Sequence, residues 1–85
     1  MKSVMKLYLI WQTDNSGYDT FDSAIVAAKS PKIAKNINPF NGKLIDWDNP
    51  PMSWCTSVSE VYVEYIGKAK RGIKQGVICA SFNPG

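Results

Sequence analysis

The sequence predicts a small α+β domain: an antiparallel sheet of about four strands in the order β-β-α-loop-β-β, with one short helix packed on one face. Two observations predict the sheet. Apolar or alternating runs at 7–11, 18–28, 61–66 and 77–82 have strand length, and turn residues separate them. A third predicts the helix: Ser30-Pro31 opens a stretch whose apolar residues recur at helical spacing. Eighty-five residues are enough for one core and leave no volume for a second, so residues 1–85 read as a single domain.

Leu7-Tyr8-Leu9-Ile10-Trp11 is apolar on both alternating faces, which predicts a central strand covered by the helix on one side and by loops on the other. Residues 1–6 read as a loose N-terminal extension, and Met5-Lys6 would also serve as a start. The basic beginning is followed by an apolar run that stops at Gln12-Thr13-Asp14, too short for an export signal. The expected location is the cytoplasm.

Asp14-Asn15-Ser16-Gly17 supplies short polar side chains that bond their own backbone and a glycine that accepts positive φ, so the chain reverses there. Tyr18 to Ala28 is the returning strand, with Phe21, Ile25 and Val26 as its large apolar residues. Its small residues Ala24, Ala27 and Ala28 let the next element pack close. That element is the helix, with Ser30 as N-cap, Pro31 at the first helical position and Ile33, Ala34 and Ile37 as the apolar stripe. Asn38-Pro39 ends it.

From Phe40 to Ser57 no period is sustained, and Lys43 to Trp47 is at most a short edge strand. A loop this long in so small a domain is either functional or packed down by its own side chains. Trp47, Met52 and Trp54 are its expected anchors. Val61 to Ile66 alternates cleanly, a basic connection punctuated by glycines runs from Gly67 to Gly76, and Val77 to Phe82 is the last strand.

The chemistry the chain lacks is informative. With no histidine, Ser-His-Asp and Cys-His catalysis and most zinc sites are excluded. No phosphate-cradling glycine motif occurs. Asp46 with Asp48, and Asp19 with Asp22, are the carboxylate pairs. Each lacks a third oxygen-rich ligand and reads as solvated loop or turn charge, so neither a metal nor another cofactor is expected. Cys55 and Cys79 read as free thiols; a bridge requires the Cys55 loop to lie against the Cys79 strand. No catalytic residue is assigned, and the chain is expected not to be an enzyme.

Ten basic against seven acidic residues give a formal charge of +3, which disfavours mimicry of DNA by a carboxylate surface. The cations fall into two groups, Lys29, Lys32 and Lys35 around the helix and Lys68, Lys70, Arg71 and Lys74 in the late connection. They read first as solvated surface and, if the groups meet in space, as a patch able to touch phosphates. Trp47, Met52 and Trp54 have the aromatic and methionine content of a protein-binding surface. The candidate partner-binding residues are therefore Trp47, Met52, Trp54, Lys68, Lys70, Arg71 and Lys74.

Three stretches, 6–10 (KLYLI), 17–28 (GYDTFDSAIVAA) and 76–83 (GVICASFN), resemble a family of small accessory proteins carried by bacteriophages and prophages. A similar Trp-Cys and Val-x-Val-x-Tyr-Ile-Gly segment lies between, so the likeness spans nearly the whole chain. Its motifs are structural, with no catalytic residue to carry across. The resemblance implies a non-enzymatic protein acting inside a bacterial host, where inhibitors of immunity, anti-CRISPR proteins among them, bind a defence protein or ribonucleoprotein effector. The alternatives are a small basic nucleic-acid-binding or regulatory module and a sponge for a signalling nucleotide.

Overall fold

The computed structural model describes residues 4–14 and 19–83. Four strands, β1 (Lys6–Trp11), β2 (Thr20–Ala28), β3 (Tyr62–Lys68) and β4 (Gly76–Asn83), form one antiparallel sheet in the spatial order β3-β1-β2-β4. A single α-helix, α1 (Pro31–Lys35), follows β2, and one 3-10 turn, Val58–Glu60, precedes β3. Asn15, Ser16, Gly17 and Tyr18, expected to make the first turn and begin the second strand, lie outside the described residues.

The hydrophobic pattern sets the two central strands. Leu9 of β1 sits opposite Ile25 of β2, and Ile10 opposite Ala24. Successive side chains of a strand point to opposite sides, so Tyr8, Ile10, Ala24, Val26 and Ala28 share one face. These residues belong to the buried cluster, together with Ala34 and Ile37 from the helical segment and Trp54, Cys55 and Val61 from beyond it. The core is thus sealed between one sheet face and a layer made of α1 and the irregular chain from Asn38 to Val61. In the core, small Ala24, Ala28 and Ala34 leave room for Trp54, a substitution of volume that close packing requires.

The helix is shorter than its apolar stripe suggests. Ser30 is the N-cap, its hydroxyl accepting from the Ile33 N–H at 3.3 Å, and Pro31 fills the first turn where no donor is needed. Asn36 caps the other end, so Ile37 leaves the helix and forms an isolated antiparallel bridge with Leu44. The anticipated edge strand at Lys43 to Trp47 is reduced to that bridge. Five helical residues have little stability alone; they stand because Ala34 and Ile37 are fully buried.

The loop is packed down rather than loose. The Ile45 N–H donates to the Asn36 carbonyl at 2.7 Å, and the Phe21 N–H to the Ser53 carbonyl at 2.8 Å. The second link ties the loop to the start of β2, where Gln12 Nε2 also donates to the Phe21 carbonyl at 3.0 Å.

Each edge strand carries a bulge. The register skips Ile66 in β3 and Ile78 in β4, and a third irregularity leaves Asp22 of β2 unpaired with β4. Every skipped side chain is exposed. Insertions of this kind twist a strand edge and discourage further strand addition.

The second sheet face, expected to be covered by loops, is covered only in part: Ala27 on it is fully buried. Leu7, Leu9, Trp11 and Ile25 are absent from the core cluster and are only half-buried. The helix and loop residues of the core cluster pack with Tyr8, Ile10, Ala24, Val26 and Ala28 on the opposite face.

Candidate functional site

The antiparallel topology gathers charge. The start of β1, the end of β2, the end of β3 and the start of β4 all lie at one end of the sheet, since Lys6 pairs with both Ala28 and Lys68 and Ala27 pairs with Gly76. Lys6, Lys29, Lys68, Lys70, Arg71 and Lys74 therefore share that end, and all are exposed. Lys29 and Lys74 each lie two residues past the Ala27–Gly76 pair. The β3–β4 connection crosses this end and is held down by the Ala69 N–H donating to the Met5 carbonyl at 2.8 Å. Gly72, at φ +95°, and the Ile73 N–H donating to the Lys70 carbonyl at 3.1 Å shape its turn. Asp14, Asp19, Asp22, Glu60 and Glu64 all lie away from this end.

The opposite end has the reverse sign. Asp14 follows β1, Asp19 and Asp22 flank the start of β2, and Glu60 precedes β3; all four are exposed. No lysine or arginine occurs between Lys43 and Lys68, so the loop packed near this end adds no cation. Asp19 takes φ +59°, a left-handed conformation that aspartate tolerates better than bulkier residues. The molecule is 42 Å in its longest dimension and carries its two signs at separate ends of the sheet.

The structure separates the residues singled out in the sequence. Lys68, Lys70, Arg71 and Lys74 lie together at the basic end, joined by Lys29 from the helix group and by Lys6. Trp54 is corrected: at 0% exposure it is the largest fully buried side chain, and a buried ring touches no partner. Trp47 is half-buried, its Nε1 donating to Asn36 Oδ1 at 2.7 Å, which fastens the loop to the helix end. Met52 is 93% exposed, but its neighbour Ser53 is bonded to the start of β2. That puts Met52 toward the acidic end, away from the lysines.

Among the described residues no three metal-ligating side chains cluster. Asp46 Oδ1 and Oδ2 accept from the Asp48 N–H at 3.1 Å and from Asn49 Nδ2 at 3.4 Å, so this carboxylate closes its own turn. A hollow of about 240 Å³ between Lys32, Ile33, Asn36, Leu44 and Ile45 is open and shallow, smaller than ligand clefts usually are.

The cysteines do not meet. Cys55 is buried on the core side and Cys79 is exposed on the other sheet face, opposite Ile25. Burial pushes the Cys55 thiol up to about 11, with Asp14 and Glu60 adding to the rise against the opposing hydrogen bond to the Ser57 carbonyl. Such a thiol is held protonated and unreactive.

Sequence reasoning did not group Lys6 with the late lysines. The signal was present: in any β-hairpin the first residue of one strand neighbours the last of the other, so Lys6 and Lys29 had to converge.

No protein-family model, no curated protein and no solved structure matches the chain. No helix among the described residues is long and apolar enough to cross a membrane.

Proposed function

We propose that the protein is a non-enzymatic binding protein whose basic end docks on an anionic surface of a macromolecular partner. The observation that carries this reading is the segregation of charge: Lys6, Lys29, Lys68, Lys70, Arg71 and Lys74 at one end of the sheet, Asp14, Asp19, Asp22 and Glu60 at the other. A field of one sign at one end steers and orients a partner of the opposite sign. A net charge of +3 spread evenly over the surface would do neither. Joined to the resemblance to phage accessory proteins, the reading is an inhibitor that occupies an acidic or nucleic-acid-loaded surface of a host defence complex.

Direct nucleic-acid binding is the second reading, favoured by the convergence of Lys6 and Lys29 with the late lysines. A nucleotide sponge has less support. The aromatic pair of half-buried Trp11 stacked on exposed Tyr62, with centroids 5.4 Å apart, is at the strand ends away from the lysines, so one small nucleotide could not engage both.

The test uses Lys68→Ser, Lys70→Ser, Arg71→Ser and Lys74→Ser combined. Wild-type protein should capture a defence complex from host lysate and restore phage growth on a defended strain, and the folded quadruple variant should do neither. Capture of free nucleic acid alone would favour the second reading. Unchanged capture by the variant would exclude the basic end.

A further inference from the structure

We infer that Phe40, Met52 and Phe82, gathered around Phe21, form a second docking surface, and that its occupant is a basic amphipathic segment of a protein partner. The surface lies apart from the lysines of the basic end, and the inference stands independently of the function proposed above.

Phe21 is the floor of the cluster. It is buried, and its backbone is fixed twice over: the N–H donates to the Ser53 carbonyl at 2.8 Å, and the carbonyl accepts from Gln12 Nε2 at 3.0 Å. Two rings lean on its own, that of Phe82 with centroids 4.8 Å apart and that of Phe40 at 6.5 Å. The bond to Ser53 brings Met52 to the same place from a third segment. Phe40, Met52 and Phe82 are 73%, 93% and 45% exposed. Side chains of this size present about 200 Å² each, so these fractions leave on the order of 400 Å² of apolar surface in water. Scattered exposed hydrophobes are ordinary, but three meeting around one ring match the largest apolar patch of a typical monomer, which is often functional.

The display of these side chains is built into the loop. Phe40 stands in a turn closed by the Gly42 N–H donating to the Asn38 carbonyl at 2.8 Å, and its own N–H donates to Asn38 Oδ1 at 2.9 Å. Met52 follows Pro50-Pro51 in a turn closed by the Trp54 N–H donating to the Pro51 carbonyl at 3.3 Å, and Trp54 is fully buried. Turns usually carry small polar residues. These two carry a phenylalanine and a methionine in water, on backbone already ordered before a partner arrives, which lowers the entropy cost of binding. A methionine beside aromatic rings also adapts to the shape of an inserted side chain.

Charge selects the occupant. Asp19 and Asp22 flank Phe21 in sequence and both are exposed, Asp22 at the bulge where β2 is unpaired with β4. No lysine or arginine occurs from residue 7 to 28 or from 44 to 67, so the β2 and Met52 sides of the cluster bring no cation. Lys43 lies toward the start of β4, since its neighbour Gly42 packs against Gly76 and Val77 there. An apolar patch with carboxylates on one margin fits a segment that joins large apolar side chains to lysines or arginines, as an amphipathic helix does when it lays its apolar face on a hydrophobic surface. The same margin repels nucleic acid and acidic peptides, the ligands that suit the basic end.

Fluorescence anisotropy tests this with a labelled synthetic helix of about five turns, leucine on one face and lysine on the other, and with a twin carrying glutamate in place of lysine. The leucine–lysine helix should bind wild type in the micromolar range. Phe40→Ser combined with Met52→Ser, both at exposed side chains and with folding checked by circular dichroism, should weaken that binding at least about tenfold, as loss of interface anchors does. Asp22→Asn should weaken it less and reduce its dependence on salt. The leucine–glutamate helix should be indifferent to the double substitution. No binding of the leucine–lysine helix, or binding that survives the double substitution, would overturn the proposal. A leucine–glutamate helix that loses its binding with Phe40 and Met52 would overturn the charge assignment, and a wild-type dimer in sedimentation that the double substitution dissolves would give the surface to a second copy instead.

Discussion

Trp54→Ala should cost about 3–5 kcal/mol, the usual loss when a buried aromatic is truncated, because Trp54 is fully buried among Tyr8, Ile10 and Val26 of the sheet and Ala34 and Ile37. A domain of this size is stabilised by only about 4–13 kcal/mol in all, so chemical denaturation should reveal a marginal protein. Met52→Ala, at a side chain almost wholly in solvent, should stay within about 0.5 kcal/mol of wild type. Both residues looked alike in the sequence, as large apolar anchors of one irregular loop; with no period to say which pointed inward, their burial was not legible. Cys55 gives a pH-dependent counterpart. The unfolded chain releases its thiol proton near 9 and the folded protein near 11. The protonated thiol's contribution is therefore complete below about 9 and is lost as pH rises toward 11. Denaturation midpoints of wild type and Cys55→Ala should converge across that window. A constant difference would contradict the burial of the thiol.

At the scale of elements, the hairpin of β1 and β2 and the alternating β3 were written plainly in the sequence, because period-two patterning and turn residues act locally. The helix start was equally legible. Ser30→Ala should remove about 1 kcal/mol by leaving the Ile33 N–H without its cap, whereas Lys32→Ala on the exposed side should be nearly neutral; thermal melts of the two variants compare them directly. The helix end was misplaced because Ile37 keeps helical spacing yet is drawn into a bridge with Leu44, a long-range contact that local periodicity does not report. The bulges at Asp22, Ile66 and Ile78 were hidden for the same reason. Each is a property of two strands in register and of neither strand alone.

For the whole molecule, the count of cations was legible but their meeting was not, since it depends on strand order. The β3-β1-β2-β4 arrangement sends the β3–β4 connection across the end where Lys6 and Lys29 already lie, and so converts dispersed lysines into one surface. The central claim is that the basic end is the working surface, and its most direct test is the salt dependence of binding to a defined polyanion. A labelled single-stranded oligonucleotide, with polyglutamate as the protein-like counterpart, should bind wild type with an affinity that falls steeply with salt. Serine at Lys68, Lys70, Arg71 and Lys74 should weaken binding and flatten the oligonucleotide's log–log slope by up to about 0.7 per cation removed. Binding of neither polyanion at physiological salt, or an unchanged slope in the folded quadruple variant, would contradict the account.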